Sequence, residues 1–473
     1  IEPVPVEQRT DPRLYQIFFV WFTANMNVLT LSAGTVVPVV FGLGIRDSFV
    51  VIVIVDLMCV MAERAVPSAM LGPKLGTRVI LQSRFSWGYY GAIIPSVLNV
   101  LSGTGYNIIN CIVGGQTLAA VSPHLSPTAG IVITGLMSFG VSSEFCVHLS
   151  ACIRYEMLAW IPNVVGFVVM VSVSGKTLTA LPVTSPAPVS AAAIMSCIST
   201  LATTVVSWST LAADYGVFHD AKASGLKVFI YAYAGFLGSQ LPVHFLGAAF
   251  AAGARYVPAW NVGFENSNDV GGLVAAGLAP AGGFGKFLLV LMALTTPSAV
   301  APSMYTTCTS FMTIAAVFAR VPRCIFAMIS TAILIPVGIV GASHFYDTFV
   351  QILSTWKTSC GHSEYFIGYW LAPFMAIVIT EHYIFRSGMW ARYDSENAWN
   401  KPHHPNLARG YAAVFTFVTS IGLIVVCMSQ AEWTGPIARM GTGDIAMLVS
   451  FGYSTVAFLA TRWLERRYTS KID

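Results

Sequence analysis

Twelve runs of roughly 20 apolar residues, the length a helix needs to cross a bilayer, divide this chain almost from end to end. They fall at 15–43, 48–70, 91–121, 128–149, 157–174, 190–213, 226–251, 285–318, 324–341, 365–385, 410–428 and 444–464. Lipid offers no partner for a backbone N–H or C=O, so each run is expected to be helical. The expected fold class is therefore an all-α polytopic membrane protein with twelve transmembrane helices. Of the 473 residues, 55% are hydrophobic and 10% charged, and the mean hydropathy is +0.70. So few charged side chains could not cover a soluble globule of this size. The longest polar connections, Ala252–Gly283 and Arg386–Arg409, are too short to be soluble domains. The first contains DVGGLVAAGLAPAGG, Gly-rich and too short to span, and is expected to be an outer loop or a re-entrant segment.

Lys and Arg accumulate in the short cytoplasmic loops of membrane proteins. With the N-terminus inside, eighteen of the 25 Lys and Arg residues fall in inner segments and five in outer ones. Both termini are therefore expected in the cytoplasm, in a multi-pass membrane protein. The chain divides into a cytoplasmic tail at 1–14, five runs in 15–174, five in 190–385, a cytoplasmic linker at 386–409, two more runs in 410–464 and a tail at 465–473. The nine cysteines show no C-x-x-C pair and no His at metal spacing, which suits small core residues better than a metal site or disulfide frame. The first residues, IEPVPVEQRTDPR, are polar and show no cleavable signal. No cofactor is expected. The expected partners are the lipid bilayer and a small molecule, without nucleic acid, for a monomer or homodimer.

Two runs contain poor helix formers at mid-depth. The first reads FTANMNVLTLSAGTVVP and the sixth TLATTVVSWSTLAADYG. Their separation by five runs fits a five-plus-five inverted repeat with broken first helices, followed by two extra C-terminal helices, the architecture of LeuT-like transporters. In the third run, Tyr106, Asn107, Asn110 and Gln116 lie at membrane depth, where polar groups are costly on a lipid face and belong on a cavity wall. Tyr106 and Asn110 are i and i+4, on one face of a helix.

With these residues in view, the chain resembles the fungal purine–cytosine permeases of the nucleobase–cation symporter-1 family, which includes the yeast-type vitamin B6 transporters. The resemblance covers nearly the whole length. It rests on FTANMNVLTLSAGT, GPKLGTRVILQSRFSWGYYG, GYNIINCIVGGQ, RYEMLAWIP, WSTLAADYGVF, GGFGKF, PSMYTT, IGYWLAPFMAIVITEHYIFR, GYAAVF and SQAEWTGPIA, in that order. It implies proton-coupled import of a small planar nitrogen heterocycle across the plasma membrane by alternating access. Carried over by motif, the base-flanking aromatics fall on Tyr106 and Trp208, the third-run amide on Asn110, and a hydroxyl beside the unwound first run on Thr23, with Asn25 adjacent. A ring held between two aromatics gains ~0.5–1.5 kcal/mol per favourable pair beyond area burial.

The chain departs from that family in three places. Where relatives carry an Asn pair and a later Asn in the eighth run, this sequence has Ala299, Val300 and Ser303. The second run contains Asp56 and Glu63–Arg64, ionisable groups in a segment expected to be apolar. An extra segment, Thr355–Phe366, interrupts the tenth run, as a genuine loop or a gene-model artefact. A proton as coupling ion needs a titrating group, and Asp214, Glu156, Glu381 and Glu63 are the candidates for coupling or gating. The departures leave an alternative, in which a permease scaffold serves as an intramembrane enzyme or receptor for a specialised metabolite.

Overall fold

The computed structural model describes all residues except 1, 66–67, 148–154, 186, 266–268, 345–355, 358–362, 365–367, 431–432 and 470–473. At 60–65, 68–69, 144–147, 356–357, 363–364 and 469 only the backbone is described. The principal helices are α1 Tyr15–Asn25, α2 Val28–Val40, α3 Ile45–Ala65, α4 Ile93–Ala119, α5 Pro127–Val147, α6 Ile161–Thr179, α7 Ala191–Val206 and α8 Gly225–Ala254. They continue as α9 Val270–Leu278, α10 Gly282–Leu294, α11 Pro297–Ile314, α12 Arg323–Gly341, α13 Leu371–Thr380, α14 Tyr411–Cys427 and α15 Ala446–Thr469. The expected helical class holds apart from a small ribbon inside the extra segment, where Trp356–Lys357 pairs antiparallel with Ser363–Glu364. The rest of that segment lies outside the described residues.

The first run is broken, as its Asn residues suggested: α1 and α2 meet at 54°. Asn27 caps α2 by accepting from the Thr30 amide at 2.9 Å, while its Nδ2 donates to the Ala24 carbonyl at 2.6 Å. A side chain that satisfies the end of one helix and the start of the next makes the break locally stable. In the sixth run α7 stops at Val206 and continues as a 3-10 turn, Ser207–Thr210. Thr204, Ser207 and Thr210 each donate to the carbonyl three residues earlier, at 2.7, 2.8 and 3.1 Å. These bonds compete with the helix ladder where the run unwinds.

Some boundaries shift. The eighth run, expected at 285–318, is two helices, α10 and α11, divided at Thr295–Thr296. The Gly-rich stretch after α8 contains a true helix, α9, whose Val270, Leu273, Val274 and Leu278 are fully buried. Among the described residues five helical segments are long and apolar enough to cross a membrane, or six with α1 and α2 as one bent span.

At 30 residues, α8 is long enough to pack along α1, α2 and α3. Glycine permits the approach: a Cβ on Gly34 would lie 2.2 Å from the His244 carbonyl oxygen, and one on Gly247 would lie 2.0 Å from that of Leu31. Small residues let membrane helices meet backbone to backbone, which fixes the middle of α8 beside the break in the first run. One apolar core joins parts of α2, α4, α8 and α11; another joins α1, α3, α7 and α8, and Tyr106 packs against both.

Candidate functional site

Tyr106 projects from the middle of α4, and Trp208 from the 3-10 turn that ends the sixth run. Their ring centroids are 5.3 Å apart at an interplanar angle of 80°. This edge-to-face contact is a favourable aromatic geometry, and the two expected flanking aromatics thus touch each other directly. Trp21 of α1 stands edge-on to Trp208 at 5.9 Å.

The pair separates two cavities. The first, about 50 Å³, is lined by Asn99, Ser102, Tyr106, Trp208, Ser303 and further residues of α7 and α13. The second, about 20 Å³, is lined by Asn25, Thr30, Tyr106, Thr204, Trp208, Gln240 and His244 together with apolar groups. Since ~10–15 Å³ of such volume holds one water, neither admits a heterocycle until the aromatic pair parts.

Of the sequence candidates, Asn25, Tyr106, Trp208 and Ser303 come together around these cavities. Asn110 is buried on α4 but donates to the Tyr106 carbonyl at 3.0 Å, bracing its own helix. Thr23 is fully buried and donates to the Glu156 carbonyl, which ties α1 to the residues before α6. Ala299 and Val300 are buried in α11 and do not border either cavity, where Ser303 is the α11 side chain.

The carboxylate candidates differ sharply in environment. Glu156 is buried, and neither carboxylate oxygen has a hydrogen-bond partner among the described residues. Asp214 accepts from Thr306 Oγ1 at 2.8 Å and from the Val79 amide at 3.2 Å. Glu381 is held by Arg386 Nε at 3.2 Å and Arg462 Nε at 3.0 Å, and it lines neither cavity bordered by the aromatic pair. Glu63 lies on the α3 backbone, and its side chain is outside the described residues.

Sequence reasoning missed Asn99, Gln240 and His244. Gln240 and His244 are i and i+4 on α8, so they share one face, and an intramembrane histidine is a signal in itself. Both contact Asp56, which is fully buried on α3: Gln240 Nε2 donates at 3.0 Å and His244 Nδ1 at 3.0 Å. Among the described residues no group of three or more His, Cys, Asp or Glu side chains could hold a metal ion.

Discontinuous helices meeting at a buried, polar and aromatic cavity define a membrane transporter. The sequence model for "Permease for cytosine/purines, uracil, thiamine, allantoin" matches residues 3–434, and the chain belongs to that family. Purine-cytosine permease fcyB of Emericella nidulans is 30% identical over 477 residues, covering 99% of this chain and 88% of the relative. Vitamin B6 transporter TPN1 of Saccharomyces cerevisiae is 25% identical, over 98% of this chain and 86% of its own. In fold the chain is similar to Mhp1, a nucleobase-cation-symport-1 family transporter solved closed with bromovinylhydantoin bound. The TM-score is 0.70 at 14% identity, covering 99% of this chain and 95% of the other.

Proposed function

We propose that the protein imports a small planar nitrogen heterocycle, nucleobase-like or vitamin B6-like, by proton symport and alternating access across the plasma membrane. In this reading the chain has twelve spans, a five-plus-five inverted repeat with two further helices, and both termini in the cytoplasm. The observation that carries it is the Tyr106–Trp208 contact: two aromatics from a continuous helix and an interrupted one close on each other between two cavities. Rings that part can take a flat solute between them and seal either side in turn. The chain's similarity to a purine-cytosine permease and to a vitamin B6 transporter supports a heterocyclic solute.

Glu156 is the coupling candidate, because a buried carboxylate without a partner is neutral at least cost and ionises only when water reaches it. Asp214 is the gating candidate and Thr23 a helix tie. The test is uptake of labelled nucleobases, nucleosides and pyridoxine in cells lacking endogenous permeases, with and without a pH gradient. If the protein reaches the surface and none accumulates, this reading fails.

A further inference from the structure

The linker Arg386–Arg409, the turn that follows α13 and the end of α15 surround an open cavity of about 700 Å³, to which solute transport gives no role. Five of its lining residues are arginines, Arg386, Arg392, Arg409, Arg462 and Arg466, whereas Glu381 is the one acidic side chain among the described residues that line it.

The floor of the cavity is electrically balanced. Arg462 gives Nε and Nη2 to Glu381 at 3.0 and 3.2 Å, and Nη1 to Glu465 at 2.6 Å. Arg386 gives Nε to Glu381 at 3.2 Å and its Nη groups to the Arg392 carbonyl at 2.6 Å and to both oxygens of Asn406 at 2.8 and 3.0 Å. Two guanidinium groups thus face two carboxylates, and Arg386 also folds the linker back over the end of α13. Arg392 and Arg409 of that linker and Arg466 of α15 are exposed and complete the lining. Even with Glu465 counted beside Glu381, arginines outnumber carboxylates at the cavity by three. Asp394, outside the lining, stands 3.7 Å from His404.

The position of the cavity is as informative as its charge. Arg462 and Arg466 are i and i+4 on α15 and share its cavity face, while Trp463 and Leu464 between them are exposed. Tyr383 and Ile384 are likewise exposed immediately before Phe385 and Arg386. In a chain that spans a bilayer, apolar side chains exposed one residue from a basic cavity set it where hydrocarbon gives way to headgroups.

We infer that this cavity binds the headgroup of an anionic phospholipid that carries more than one phosphate. The inference takes from the reading above only that the chain spans a membrane; it needs neither solute nor coupling ion. Phosphate is the matching group because a guanidinium fork takes two of its oxygens at once, and a cleft lined by one sign of charge concentrates the opposite one. A monoanionic headgroup would leave most of the excess charge unmet.

The test is native mass spectrometry of the purified full-length protein, equilibrated in micelles with phosphatidylinositol bisphosphate, phosphatidylserine or phosphatidylcholine, with bound lipids counted per chain. One bisphosphate lipid is expected to bind at least about tenfold tighter than phosphatidylserine. Arg392→Gln, Arg409→Gln and Arg466→Gln combined should weaken it at least about tenfold. Lys222→Gln, Lys227→Gln and Arg320→Gln combined remove the same charge from exposed positions outside the cavity and should leave it unchanged. Each single arginine exchange is measured as well, and each should weaken binding several-fold, so the result does not depend on the folding of the combined variant. Inositol trisphosphate and inorganic phosphate separate a lipid from a free phosphate compound, and both should bind more weakly than the lipid. No bound bisphosphate lipid, equal binding of phosphatidylserine, or equal loss in the two combined variants overturns the inference in favour of diffuse attraction to a basic surface. A soluble headgroup that binds as tightly as the lipid overturns the lipid assignment.

Discussion

Thr306 of α11 donates its hydroxyl to Asp214 Oδ2 at 2.8 Å, while Asp214 Oδ1 takes the amide of Val79 at 3.2 Å. One carboxylate therefore ties the end of the unwound sixth run to α11 and to the segment that follows the second run. Next to it Arg78 donates to the Tyr305 hydroxyl at 2.9 Å, so the basic GPKLGTR segment is anchored on the same helix.

A tie of this kind should show coupling. Asp214→Ala is expected to cost ~1–3 kcal/mol for each buried donor it leaves unpaired, and Thr306→Val somewhat less. Because the two share one bond, their effects should fall short of additivity by ~0.5–3 kcal/mol in a double-mutant cycle. Thermal unfolding of the purified variants measures it; strict additivity would show that the bond contributes nothing.

Trp208 contacts Tyr106, Trp21 and Phe236 through its ring, at 5.3, 5.9 and 6.3 Å. Trp208→Ala is expected to destabilise the fold by ~3–5 kcal/mol as a large-to-small core change. Trp208→Phe should keep most of that stability and still raise the KM of uptake several-fold, by loss of ~0.5–1.5 kcal/mol of aromatic contact with solute. Uptake kinetics normalised to surface protein check this. An unchanged KM in Trp208→Phe would remove Trp208 from the solute site.

Glu381 is expected to behave differently from the other acidic candidates. It is nearly buried between Arg386 and Arg462, and Arg462 also holds Glu465 at 2.6 Å. Removing one member of such a network strands buried charge, so Glu381→Gln should lose ~3–5 kcal/mol of stability. The accumulation ratio of the protein that does fold should match that of the parent. A normal protein level with lost accumulation would instead make Glu381 a coupling residue.

The Asn25–Asn27 break and the Ser/Thr-rich sixth run were legible in the sequence because their cause is local: side chains that compete with the helix for its own backbone groups. Tyr106 and Trp208 were placed by motif and Asn25 by its poor helix propensity at the break, and all three border the small cavity. The Asp56–Gln240–His244 cluster was not legible, because it joins residues 188 positions apart at its widest. Only the glycine-mediated approach of α8 to the first run puts α8 beside that cavity. Asn110 is the converse case, a motif residue that the fold also uses locally. Its spacing from Tyr106 was right, but an amide one turn along a helix can also bond the backbone carbonyl behind it, and here it does.

The N-terminal segment should loosen in acid. Asp11 docks beside His219: its amide donates to the Phe218 carbonyl at 3.1 Å, its carbonyl accepts from Asp220 at 3.0 Å, and His219 Nδ1 donates to that carbonyl at 3.3 Å. Burial pushes the His219 imidazole below its ordinary range, so folding favours the neutral ring. That contribution is complete above the unfolded value of ~6.5 and is lost as pH falls through the lower folded value. The hydrogen bond from the Arg13 side chain holds the Asp11 carboxyl below the usual carboxylate range, and its contribution is lost at still lower pH. Tryptic cleavage at Arg13 should therefore accelerate on acidification below neutrality, after correction for the protease's own pH profile, and His219→Gln should flatten that response. A rate independent of pH would detach His219 from the docking.

Glu156 supplies the sharpest separation of stability from function. Its carboxylate oxygens are buried without partners among the described residues, while its backbone carbonyl accepts the Thr23 hydroxyl. Glu156→Gln keeps the shape and the backbone contact and removes the possibility of a buried charge, so the variant should be at least as stable as the parent in thermal unfolding. It also removes the proton site. Driven by an inward pH gradient in proteoliposomes, the parent should accumulate labelled solute above its equilibrium level, whereas Glu156→Gln should only equilibrate it. Glu156→Asp, which titrates but is one methylene shorter, should recover part of the gradient response. If Glu156→Gln accumulates solute as the parent does, the proton is carried elsewhere and Glu156 is a packing residue beside Thr23. If it unfolds at lower temperature, the carboxyl has a partner in the folded state and is not the free acid that coupling at this position requires.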